Sequence, residues 1–191
     1  MVSALETTST VPPAQLLADV SLSDRAKALL AGARNVRLLL EQLLGAGLAP
    51  DAALALTRAL PKRYAIAWVC ECIRAEAQRH PLGSADMACL ESAEAWLVDD
   101  SDEKRRAAGT CAEAQRHQTP AALAAAAAAW SGGSLAPPGY QEVAPAEHLS
   151  AVACYGAVIL LAALEPRQLS TRLAVWINRA CASFGPPSRG N

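Results

Sequence analysis

Cys70 and Cys72, the run Ser131-Gly132-Gly133-Ser134, and His148 with Glu142 and Glu147 are the residues whose types could support chemistry. Two neighbouring cysteines suggest a metal, since zinc sites use C-x₂₋₄-C pairs with a matching second pair. Here the cysteines are two apart, so on a helix their thiols point to nearly opposite sides. No second pair matches them, and His80, His117 and His148 complete no ligand pattern. The serine–glycine run has the composition of a phosphate cradle. It follows the end of a predicted helix, however, whereas anions favour the N–H groups at a helix start. It therefore reads as a helix stop. A nucleophile needs a base and an orienting group. Ser131, Ser134, His148, Glu142 and Glu147 surround one loop, but no G-x-S-x-G elbow and no predicted strand would present a nucleophile. Asp99, Asp100, Asp102 and Glu103 lack the glycine and distal glutamate of a calcium-binding hand and read as a capping turn. No catalytic residue, metal or cofactor is expected.

The elements around these residues are helical throughout. The 191-residue chain is 52% hydrophobic, 18% charged and 4% aromatic, a balance that excludes wholesale disorder. With few aromatics the core must come from Ala, Leu, Val and Ile, and small side chains imply close helix contacts. Periodicity and breakers place a short helical turn near 13–19 and helices near 23–30, 35–44, 50–60, 61–79, 84–98, 102–116, 120–129, 145–164 and 167–184. The architecture expected is all-α: a single-domain bundle, or a short array of antiparallel hairpins, of about seven to nine helices over 13–184. Tails are expected at 1–12 and 185–191. Ile66, Val69, Cys70, Ile73 and Ala77 form one apolar stripe. Leu169, Leu173, Trp176, Ile177, Ala180, Cys181 and Phe184 form another. The hexapeptide AEAQRH occurs twice, at 75–80 and 112–117, near a helix end each time.

Net charge −1 argues against a nucleic-acid partner, which calls for a concentrated basic face. The run Lys104-Arg105-Arg106 follows four acidic residues and reads as a solvated first helical turn. The longest uncharged apolar run, 149–164, is shorter than the roughly 20 residues of a membrane span. The N-terminal sequence has no basic segment followed by an apolar one, so no secretory signal is expected. The six cysteines are then expected to be reduced and buried, in a bacterial cytoplasm.

The strongest local signal spans 119–140. Thr119 caps, Pro120 suits the first helical position, and eight of the ten residues 121–130 are alanine. Gly132 and Gly133 are expected to end this helix. A proline-bounded strap, 131–144, follows. Fourteen residues without regular structure is long for a compact domain, and such loops are often functional. One reading lays the strap across the bundle, burying Leu135, Tyr140 and Val143, and this is the reading preferred. The other presents a preformed edge to a partner. Candidate partner-binding residues are Trp130, Ser131, Gly132, Gly133, Ser134, Pro137, Pro138 and Tyr140. A pocket formed by Ser134, Glu142 and His148 is the small-ligand or enzymatic alternative. Packing of the alanine face 121–129 on its copy would make a homodimer.

The segments AEAW (93–96), SDEKRRAA (101–108), TPAALAAAAAAWSGGSLAPPG (119–139) and HLSAVACYGAVILLAAL (148–164) resemble an uncharacterised bacterial helical family of unknown function. In that family an alanine-rich helix ends in W-S-G-G-S-L-A-P-P, ahead of a proline-bounded strap and an apolar helix. The resemblance covers roughly 55–165. Members are sometimes encoded near type VI secretion genes. This implies a cytoplasmic adaptor or chaperone that loads an effector, or an immunity protein that blocks a toxin.

Overall fold

Short polar side chains start the helices that the sequence marks most clearly. The computed structural model describes residues 11–137 and 139–184, without the side chain of Phe184. The expected tails therefore lie outside the described residues, apart from Val11 and Pro12. Ser23 Oγ accepts from the Ala26 N–H, Asn35 Oδ1 from Leu38, Ser101 Oγ from Lys104 and Thr119 Oγ1 from Ala122, at 2.8–3.4 Å. Each satisfies a first-turn donor that has no partner inside its helix. The helices are α1 (Pro13–Leu16), α2 (Asp24–Gly32), α3 (Val36–Gly45), α4 (Ala49–Ala59), α5 (Lys62–Glu76), α6 (Ser84–Val98) and α7 (Asp102–Ala114). They continue with α8 (Pro120–Ala129), α9 (Leu149–Ala163) and α10 (Leu169–Phe184), the last preceded by a 3₁₀ turn at Pro166–Gln168. The fold is all-α, with no strand among the described residues. Backbone contacts group the chain into two compact units, Met1–Pro61 with Ala162–Asn191, and Lys62–Leu161.

In the first unit α4 packs on α3 and α10, and α2 on α3. Leu39, Leu40, Leu43, Leu56, Leu173 and Ile177 are all but fully buried. Of the expected α10 stripe, Leu173, Trp176, Ile177 and Ala180 are buried and Leu169 and Cys181 half-buried; Phe184's side chain lies outside the described part. Polar ties close the unit's edge. The Ser23 N–H and hydroxyl both donate to the Asp51 carboxylate, and Arg58 donates to Asp19 at 2.6 Å.

In the second unit α8 is the central element, packed on α5, α6 and α7. Ala121, Ala122 and Ala124–Ala128 are at most 1% exposed. An alanine presents only a methyl group, so the neighbours approach almost to backbone contact. A Cβ added to Gly109 of α7 would sit 3.3 Å from the Ala129 Cβ, and one on Gly156 of α9 3.2 Å from Leu123 Cδ1. Buried Ser150 donates to the Ala127 carbonyl at 2.8 Å. The bulk that alanine lacks comes from Ile66, Trp68, Val69, Ile73 and Leu90. Arg74 grips the Glu94 carboxylate with two bonds, at 2.9 and 2.6 Å, across α5 and α6. The alanine face proposed for a homodimer is thus covered by the unit's own helices, and a second copy cannot reach it.

The helices α5 and α7 stop short of their sequence pattern, at Glu76 and Ala114. Both stops fall inside the AEAQRH hexapeptides, which close their helices differently. In the first, the Arg79 and His80 N–H groups both donate to the Glu76 carbonyl. In the second, Arg116 donates to Glu113 and His117 to Ala112, a Schellman closure with Arg116 at φ 51° and His117 at φ 56°. Among the described residues, no single helix is long and apolar enough to cross a membrane.

Candidate functional site

The strap begins where α8 runs out of donors. The last helical carbonyls lack intrahelical partners and carry the negative end of the dipole. No basic residue occupies the last turn of α8, so the donor comes from α7. Arg105, 6% exposed, donates from Nη1 to the Ala129 carbonyl at 2.7 Å and from Nη2 to the Ser134 carbonyl at 2.8 Å. Its Nε and Nη2 also bind Asp102 Oδ1, at 2.9 and 2.6 Å. Arg106 donates to Asp102 Oδ2 at 2.6 Å and to the Ala136 carbonyl at 3.0 Å. Hydrogen bonds from Arg106 and then Arg105 hold the Asp102 carboxyl below its usual range. One carboxylate thus orients two guanidiniums, which bind the last α8 carbonyl and pin the strap at two more, Ser134 and Ala136. The expected solvated turn at 104–106 is corrected accordingly: Arg105 is buried because the strap closes over it.

The strap also ties itself. Ser134 Oγ accepts from the Ala136 and Val143 N–H groups, both at 3.1 Å, and the Leu135 N–H donates to Val143 at 2.8 Å. Tyr140 N–H donates to the Pro137 carbonyl at 3.2 Å, around Gly139 at φ +86°. Lys62 ties the start of the strap to the segment just after it, donating to the Ser131 carbonyl at 3.1 Å and pairing with Glu147 at 3.3 Å. These bonds are polar, and the preferred reading of a strap that buries its apolar residues is overturned. Leu135 is 44% exposed, Tyr140 74% and Val143 53%.

The glycine pair acts differently from expectation too. The α8 helix ends at Ala129, with Trp130 as its cap at φ −95°, before either glycine. Gly133, at φ +64°, lets the chain cross over Arg105: an added Cβ would lie 2.8 Å from Arg105 Nε. Gly133→Ala combines left-handed strain with that clash, and a loss of about 1–3 kcal/mol is expected, read as a lower urea midpoint. Gly132→Ala, which meets no atom within 4 Å, is expected to leave the midpoint nearly unchanged.

Between strap and α7 lies a cleft of about 330 Å³. Gly109, Ala129, Trp130, Leu135 and Pro137 supply its apolar wall, and Arg105, Arg106, Thr110, Glu113, His117 and Ser134 its polar one. The His117 ring stacks on Trp130, centroids 5.3 Å apart and planes 22° from parallel. The left-handed pair Arg116–His117 turns that ring back over the cleft. Non-glycine residues in this conformation cost energy and cluster at ligand sites. The cleft's hydroxyls are engaged, Thr110 with the Arg106 carbonyl and Ser134 with the strap. What the lining offers is recognition: a flat aromatic stack, a guanidinium edge and one carboxylate.

Of the expected partner-binding residues, Trp130, Ser134 and Pro137 line the cleft. Ser131 and Gly132 are half-buried beside it, Gly133 and Tyr140 are exposed, and Pro138 lies outside the described residues. The alternative pocket is not assembled. Glu142 and His148 are exposed and do not line the cleft. Nor do Cys70 and Cys72 present a thiolate face: both are buried, and desolvation above all pushes Cys70 up to about 12. Arg105, Arg106, Thr110 and Glu113 of α7, and His117 just beyond its end, escaped the sequence reading. A signal was available: α8 lacks its own C-terminal cation, while Asp102 stands three and four residues before two arginines.

No curated protein and no solved structure matches this chain. A family model described as a family of unknown function (DUF6931) does, over residues 39–184, a span that includes α7, α8 and the whole strap. The chain therefore belongs to that family.

Proposed function

We propose that this chain is a protein-binding module without chemistry of its own, and that its contact surface is the strap with the adjoining cleft. One observation carries the reading: Leu135, Tyr140 and Val143 are exposed on a segment whose backbone is already fixed from beneath. A segment held in place loses little entropy on binding, which is the main cost of docking a loop. Tyrosine is also enriched among the residues that dominate interface energies. The engaged hydroxyls of the cleft and the exposed, separate Glu142 and His148 favour recognition over catalysis.

The finer reading is a cytoplasmic adaptor or chaperone associated with type VI secretion, with an immunity protein that blocks a toxin as the alternative. It rests on the sequence resemblance alone. Tyr140→Asp is expected to leave the thermal midpoint unchanged, because the side chain is exposed, while abolishing recovery of a partner from the native host. Equal recovery by wild type and variant would remove the strap from the interface. If neither recovers a protein while a control adaptor does, the binding function itself fails. An adaptor's partner is exported, whereas an immunity protein's partner is toxic without it.

A further inference from the structure

We propose that Cys89 and Cys111 are a redox pair that closes to an intramolecular disulfide between α6 and α7 when the protein meets a peroxide. The proposal is independent of the binding function. The Cys89 thiol donates to the Cys111 carbonyl at 3.3 Å, which places its sulfur beside that residue. The helices carrying the two residues pack directly together. Cys89 is 1% exposed, whereas Cys111 is half-buried, so a small oxidant reaches one member and not the other.

Cys111 lies in the last turn of α7, before the Schellman closure at Gln115–His117. Its carbonyl receives a long helical bond from the Gln115 N–H, 3.3 Å, alongside the Cys89 thiol. A terminal turn with a weak bond can supply the shift that an S–S length of about 2 Å requires. The division of labour follows from exposure. The Cys111 thiolate attacks one peroxide oxygen; the O–O bond breaks, leaving a sulfenic acid and a hydroxide that is protonated to water. The Cys89 sulfur then attacks the Cys111 sulfur. The S–O bond breaks, and the Cys89 proton leaves with that oxygen as a second water. The two thiols lose two electrons and the peroxide gains them. At rest Cys89 stays protonated, since burial first and Cys111 second push it up to about 11. It is therefore suited to the second step and not the first.

The buried pair Cys70 and Cys154 is the internal comparison. Both are buried, and desolvation above all raises both thiols. The folded protein is treated with hydrogen peroxide. Free thiols are blocked in denaturant, disulfides are reduced and relabelled, and peptides are read by mass spectrometry. The second label is expected on Cys89 and Cys111 together and not on Cys70 or Cys154, with the intact chain lighter by two hydrogens. Cys89→Ala is expected to leave Cys111 as sulfinic acid, and Cys111→Ser to prevent the bridge. Sulfinic acid at Cys111 in the wild-type protein, a bridge to another cysteine, or a Cys111–Cys111 link between two chains would each overturn the proposal. So would wild-type protein in which both thiols survive peroxide unchanged.

Discussion

Replacing Arg105 with methionine is expected to release the strap and cost the second unit about 3 kcal/mol. The methionine keeps the apolar stem but removes the donors for the buried Ala129 carbonyl and the part-buried Ser134 carbonyl. An unsatisfied buried carbonyl costs about 1–3 kcal/mol. The loss of the hydrogen bonds to Asp102 adds less, because that carboxylate is well exposed and water replaces its partners. The readouts separate local from global effects. The Leu135 amide, donated to Val143 across the strap, is expected to exchange at nearly the unfolded rate, while α8 amides stay protected. A lower urea midpoint is expected with it. Arg105→Lys recovers only part of the loss, since one ammonium cannot span the Ala129, Ser134 and Asp102 acceptors that the planar guanidinium reaches together. An unchanged midpoint with a protected Leu135 amide would show that the strap is held by its own internal bonds.

Ala126→Leu is expected to destabilise by about 3 kcal/mol or more, at the upper end for overpacking. Ala126 is wholly buried on α8, whose neighbours approach so closely that even Gly109 has little room for a methyl group. Added carbons at Ala126 therefore have no solvent to enter and must displace packed neighbours. Ala126→Gly removes one methyl group and is expected to cost only about 1 kcal/mol, mostly helix propensity. Ordinary cores show the opposite order, with truncation the costlier change. Urea unfolding of both variants decides the matter: a leucine variant as stable as the glycine variant would mean that α8 has space around it.

Much of the fold is legible locally. Ser23, Asn35, Ser101 and Thr119 cap helices where their side chains can reach a first-turn donor. The α10 stripe buries its middle, Leu173, Trp176, Ile177 and Ala180, where a 3.6-residue period puts one side. The alanine run becomes the central helix, because only a methyl surface lets three helices close around it. Cap chemistry and periodicity act over one or two turns, so a chain read residue by residue reveals them.

The strap was legible as an element but not in its role. Its length, prolines and glycines mark it, yet nothing local says whether Leu135, Tyr140 and Val143 face in or out. That depends on Arg105 and Arg106, about 30 residues earlier, which satisfy carbonyls the strap cannot satisfy itself. The same holds for the two AEAQRH copies, identical in sequence and different in closure. Sequence alone determined where the side-chain-capped helices start, though not α9, expected from 145 and beginning at Leu149, and it determined that the chain is all-α. Tertiary structure decided which polar groups meet, because a buried carbonyl takes whichever donor the fold brings to it.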